Sequence, residues 1–113
     1  MEFACKVSDS KLVLIMENKD CSAVKAAIDD VKLGNITPML TKIKPAVAFV
    51  ENKGERNSKN QEFVHQVSES NVFNTINEIR KNSPTLKEME DKGEIKIMGA
   101  LYDMDNGKVN FLK

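Results

Sequence analysis

At 113 residues the chain is long enough to bury one hydrophobic core and too short for two domains. Lysine plus arginine and aspartate plus glutamate number 17 each, so the formal net charge is zero, which excludes the basic surplus of a general nucleic-acid binder and an acidic tail alike. With 41% hydrophobic and 30% charged residues the balance is that of a globular chain, and the longest apolar run, Leu12 to Met16, falls far short of the roughly 20 residues a membrane helix needs.

Glu2 to Val7 reads as two helical turns ending near Ser8-Asp9-Ser10. Lys11 to Met16 lacks alternation, a pattern that predicts a strand buried on both faces, as in a parallel sheet. Asp20 is placed to cap a helix whose Val24, Ala27, Ile28 and Val31 share one face, with Gly34 ending the segment. Thr37 as N-cap and Pro38 at the first helical position open a further helix carrying Met39, Leu40, Ile43, Val47 and Val50. Pro45 inside that pattern predicts a kink or a break.

Glu51 to Gln61 contains no apolar residue and reads as a solvated loop. A long amphipathic helix is predicted from about Glu62 to Lys81, with Phe63, Val67, Val72, Ile76 and Ile79 in one stripe. Ser83 caps a short helix with Pro84 at its first position, and Gly93 stands where a left-handed C-terminal residue belongs. A strand then runs from Ile95, Asp105-Asn106-Gly107 makes a turn, and Lys108 to Leu112 returns as a second strand of a hairpin. The resulting fold class is α/β: a small mixed sheet in the order first, second, third strand, two parallel strands plus a C-terminal antiparallel one, with helices around it.

Two stretches carry a family resemblance. Asp20-Cys21-Ser22-Ala23-Val24-Lys25-Ala26-Ala27 followed by Asn35-Ile36-Thr37-Pro38-Met39-Leu40 resembles the β-class carbonic anhydrases. So does the C-terminal run of Ser83-Pro84-Thr85-Leu86, Gly93 through Asp103, and Gly107-Lys108-Val109. The resemblance covers essentially the whole chain, 1–113, as a single domain lacking the family's N-terminal strands. In the family, zinc is held by a Cys-x-Asp-x-Arg motif and a His-x-x-Cys motif. The resemblance places Glu17 at the glycine that usually precedes the second motif, Asn18 at its histidine, Cys21 at its cysteine and Ser22 at the following glycine. Cys-x-Asp-x-Arg has no counterpart in the sequence.

Cys21 is therefore the single metal-ligand candidate, and no residue is assigned to catalysis or to another cofactor. A neutral asparagine amide is a poor zinc ligand beside imidazole or thiolate. The expectation is a carbonic anhydrase-like domain without carbonate dehydratase activity, with no zinc, acting as an oligomeric binding or regulatory module. The alternative is a zinc-dependent enzyme interconverting carbon dioxide and bicarbonate, its missing ligands coming from another chain or an upstream segment. A third reading is a folded remnant without a selected activity.

The remaining chemistry-bearing residues read as structural. Cys5 is a packing residue, and with no secretory leader visible in Met1 to Val7 both cysteines are expected to stay reduced in the cytoplasm. His65, the only histidine, lies on the long helix as a partly exposed residue rather than a ligand. Asp103, Asp105 and Asn106 lack the spacing of a calcium loop and suit a turn. Lys42, Lys44, Lys53, Arg56 and Lys59 are interrupted by Glu51, Glu55 and Glu62 without interleaved aromatics, the mark of a solvated face rather than a nucleic-acid site. The resemblance also implies that the strand Lys11–Met16 has lost a neighbour, leaving an apolar edge. A homodimer burying these edges or the helices around them is expected, with the first helix helping to cover them.

Overall fold

In the computed structural model, which describes residues 1–112, the chain order is α1 (Glu2–Lys6), β1 (Leu12–Asn18), α2 (Ser22–Ile28), α3 (Ile36–Leu40), α4 (Lys44–Phe49), α5 (Gln61–Asn82), α6 (Pro84–Asp91), β2 (Lys96–Asp103) and β3 (Lys108–Leu112). The sheet runs β1-β2-β3 as the sequence implies. β1 lies parallel to β2, from Leu12 opposite Lys96 to Asn18 opposite Tyr102. β2 and β3 form the C-terminal hairpin, antiparallel from Asp103 opposite Lys108 to Gly99 opposite Leu112. Gly107 sits at φ 70° in the connecting turn, where a residue bearing Cβ would be strained. No described helix is long and apolar enough to cross a membrane.

The 22-residue helix α5 organises everything else. At its start the Asn60 carboxamide oxygen accepts from the Phe63 N–H at 3.3 Å, the usual N-cap bond. Its first half places Phe63, Val64 and Val67 against Val24 of α2 and Ala46 of α4, all of them fully buried. The second half places Val72 and Ile76 in another cluster, with Val13, Ile97 and Leu101 of the sheet, Leu86 and Met89 of α6, and Cys5 of α1. Ser83 ends α5 and caps α6, its hydroxyl accepting from the Leu86 N–H at 3.3 Å while also bonding Glu2. Arg80 clamps the two helices together, Nε and Nη2 each 2.8 Å from an oxygen of Glu90.

The long helix can approach the sheet only because position 99 has no side chain. A Cβ on Gly99 would lie 2.5 Å from Val72 Cγ1 and 3.3 Å from Ile76 Cδ1, well inside van der Waals contact.

Several local expectations need correcting. β1 is not buried on both faces: Val13 and Ile15 face α5, while Leu12, Leu14 and Met16 on the other side are 51%, 39% and 50% exposed. Nothing among the described residues is stacked on that face tightly enough to bury them. α1 packs chiefly on α6, with its Cys5 in the same core cluster as Val13 rather than over the exposed Leu12, Leu14 and Met16. The N-cap of α2 is Cys21 rather than Asp20, which has turned to another partner. Thr37 lies inside α3, behind an Asn35 cap, and its hydroxyl accepts from the Leu33 N–H at 2.8 Å. The expected break is real, but Pro45 sits in the first turn of the new helix α4, where its missing N–H costs nothing.

The polar segment before α5 is less free than its composition suggests. The Arg56 guanidinium donates to the carbonyls of Val50 (2.7 Å) and Val47 (3.0 Å) at the C-terminal end of α4, and stacks 4.7 Å from the centre of the Phe63 ring. Asn52 donates to Gln66 of α5 at 2.9 Å, and Lys44 pairs with Asp30. Two members of the basic set thus have partners while staying at the surface.

The close approach at Gly99 gives a direct test. Gly99→Ala is expected to cost about 1–3 kcal/mol through overpacking. Because the clash is with Val72, the double variant Gly99→Ala/Val72→Ala should lose clearly less than the sum of the two single losses in urea denaturation.

Candidate functional site

The residues singled out as ligand positions lie where β1 runs into α2. Strand geometry turns successive side chains to opposite faces. Glu17 therefore shares the α5 side with Val13 and Ile15, whereas Asn18 falls on the open side and is exposed. Glu17 is met there by Asn71 of α5, whose Nδ2 is 3.3 Å from each carboxylate oxygen, and the Cys21 thiol lies near enough to favour its ionised form. Burial raises the Glu17 pKa above its ordinary 4.5, and the nearby Asn71 amide and Cys21 thiol only partly offset that.

The neighbouring residues of this turn are also engaged. Asp20 Oδ1 is 3.0 Å from His65 Nε2, bringing the only histidine back to the turn from α5. Ser68, fully buried one helical turn further on, reaches the Lys19 carbonyl at 3.5 Å. The Lys19 ammonium is 3.9 Å from Asp103 at the end of β2. The turn is thereby stitched to α5 and to β2.

Cys21 is thus brought near Glu17. Asn18, next to Glu17 in the chain, leaves on the opposite face. His65 is partly exposed, as the sequence implies, and its ring is occupied by a carboxylate. Among the described residues no group of three or more histidine, cysteine, aspartate or glutamate side chains converges as a metal site would require. Cys5 is buried in the core beside Val13, and both cysteines are free thiols at opposite ends of β1, a strand about 20 Å long. Asp103 and Asn106 accept from the N–H groups of Asp105 and Lys108, both at 2.9 Å, which accounts for these residues as turn formers.

Sequence reasoning did not find the Glu17–Asn71–Cys21 cluster or the Asp20–His65 pair. One signal for the first was present. In a strand whose odd-numbered residues Val13 and Ile15 are apolar, a carboxylate at position 17 continues the inward-facing parity and needs a polar partner.

Comparison with known proteins gives a family model described as carbonic anhydrase, which matches residues 1–109. No curated protein is a significant match. Among solved structures, the β-carbonic anhydrase CafA of the fungal pathogen Aspergillus fumigatus superposes with a TM-score of 0.78 at 24% identity, over 99% of this chain and 53% of that one. The β-carbonic anhydrase CcaA gives 0.72 at 14% identity, over 99% of this chain and 55% of that one. The wild-type β-carbonic anhydrase CafD of the filamentous fungus Aspergillus fumigatus gives 0.66 at 14% identity, over 98% and 62%. The chain therefore spans about half the length of these solved structures.

The buried carboxyl predicts a pH signature. The folded Glu17 keeps its proton to higher pH than the unfolded chain does, so stability falls as pH rises from about 4.5 through the folded value. Glu17→Gln removes that loss. It should raise the melting temperature at pH 7, and the gain should shrink toward zero at pH 4, where both states hold the proton.

Proposed function

The chain belongs to the β-carbonic anhydrase family, and on that footing we propose that it acts without carbonate dehydratase activity, as an oligomeric binding or regulatory module. The observation that carries the proposal is the donor set of the β1–α2 turn. Cys21 offers one sulfur, beside the partly buried Glu17 carboxyl. Asn18, which stands where the family resemblance puts a histidine, is an amide exposed on the other face of the sheet.

Hydration of carbon dioxide at neutral pH calls for a hydroxide nucleophile. A zinc ion with three protein ligands and one open position supplies it by lowering the pKa of its bound water, as carbonic anhydrases themselves exemplify. The residues of this turn do not fit such an ion. One thiolate and a weakly donating amide that diverge across a sheet cannot set up a tetrahedral site. His65, the remaining strong nitrogen donor, is held by Asp20 at 3.0 Å. The turn is instead closed by hydrogen bonds to α5 and β2, which suits a structural role. A cytoplasmic, reducing setting is consistent with free Cys5 and Cys21.

Purified protein exchanged into metal-free buffer and then offered zinc should retain far less than one equivalent after dialysis, and its hydration rate should match buffer. Asn18→His alone should change neither result. Stoichiometric zinc together with hydration above buffer would instead establish the zinc-dependent enzyme, with the other ligands supplied from outside the described residues.

A further inference from the structure

Among the described residues β1 is an edge strand whose outer side carries unpaired backbone groups. The Lys96 N–H donates to the Lys11 carbonyl, and the Lys19 N–H donates to the Tyr102 carbonyl, both at 2.9 Å. In a parallel ladder alternate residues turn both their groups to the same neighbour. The odd-numbered residues from Lys11 to Lys19 therefore face β2, and the N–H and C=O groups of Leu12, Leu14, Met16 and Asn18 point outward. None of Leu12 to Met16 is charged or proline, and the strand carries none of the usual edge protection within that run. The radius of gyration, 15.5 Å, exceeds the roughly 13 Å expected of a compact chain of this length, in keeping with a fold that leaves a side open.

We propose that this edge pairs with the same edge of a second copy, antiparallel about a two-fold axis through Leu14, joining two three-stranded sheets into one. This deepens the oligomeric part of the function proposed above and is independent of its metal chemistry. Only outward-facing groups can bond across the axis, so even-numbered residues must oppose even-numbered ones. That condition leaves three nearby registers, centred on Val13, Leu14 or Ile15. Centred on Ile15, Lys11 meets the partner's Lys19, and Val13 meets the partner's Glu17. Centred on Val13, Lys11 meets the partner's Ile15, and Met16 meets the partner's Ser10. The register centred on Leu14 alone matches every pair: Lys11 with the partner's Glu17, Leu12 with the partner's Met16, Val13 with the partner's Ile15, and Leu14 with itself.

The side chains also fall correctly. Leu12, Leu14 and Met16, exposed in the single chain, would pair with one another on one face, while Val13 and Ile15 continue the core face. About six main-chain hydrogen bonds would form, two at each outward-facing pair from Leu12 to Met16. The charge match at both ends fixes the register, and the apolar pairs between them supply burial.

Sedimentation equilibrium on the full chain tests the proposal. The expected result is a species of twice 12.7 kDa at micromolar concentration. Leu14→Pro removes an outward N–H without touching the β1–β2 ladder. Leu14→Lys puts two ammonium groups on the axis; each variant should keep the circular dichroism of the fold and weaken the dimer by more than about tenfold. Phe111→Lys, exposed on the same face of the sheet but on β3, should leave the dimer intact. Leu14→Cys should form an interchain disulfide on mild oxidation, because opposed residues in a hydrogen-bonded pair lie about 5.5 Å apart at Cα. Leu12→Cys and Met16→Cys should cross-link when mixed but not singly. A chain that stays monomeric, or a dimer lost with Phe111→Lys and kept with Leu14→Pro, would overturn the proposal. Failure here would leave the zinc and hydration results standing, and the reverse also holds.

Discussion

The close approach of α5 to β2 at Gly99 is the constraint on which the rest of the structure depends. A single helix serves two hydrophobic clusters, one among helices and one on the sheet, so its position relative to the strands cannot be adjusted locally. Moving α5 outward to admit a side chain at position 99 would loosen Val72 and Ile76. It would also pull at Ser68 and Asn71, which hold the β1–α2 turn. Packing and site are therefore coupled through the same two helical turns.

That coupling explains the character of the turn. In this chain its acceptor groups are turned inward to fasten the segment to α5: Glu17 to Asn71, Asp20 to His65, the Lys19 carbonyl to Ser68. A half-buried carboxyl held by the Asn71 amide carries a desolvation cost. What it returns is the position of the chain entering α2, with Val24 and Ala27 directed into the core.

The sheet has one satisfied side and one open side. α5 covers Val13, Ile15, Ile97 and Leu101, while Leu12, Leu14, Met16 and Phe111 face outward. A three-stranded sheet packed on a single helix layer has no second layer to bury its other face. Among the described residues the same strand, β1, combines that open face with unpaired outward backbone groups.

Much of the fold was legible in the residues themselves. Ser83-Pro84 and Gly93 bracket α6 because a hydroxyl cap, a pre-set φ and a glycine at φ 76° are local requirements. Asn106-Gly107 likewise specifies the hairpin, and the apolar stripe of α5 gave its extent to within a residue at each end. The family resemblance in the sequence singled out Cys21 as the one metal-ligand candidate. Tertiary structure decided the rest. Whether the apolar run of β1 is buried on two faces or one depends on which layers exist above it, and composition does not record that. That Asp20 pairs with His65 instead of capping α2, and that Ser68 reaches the Lys19 carbonyl, follows from long-range packing. Local propensity acts over a few residues, whereas these choices are made between groups tens of residues apart that meet only when α5 docks.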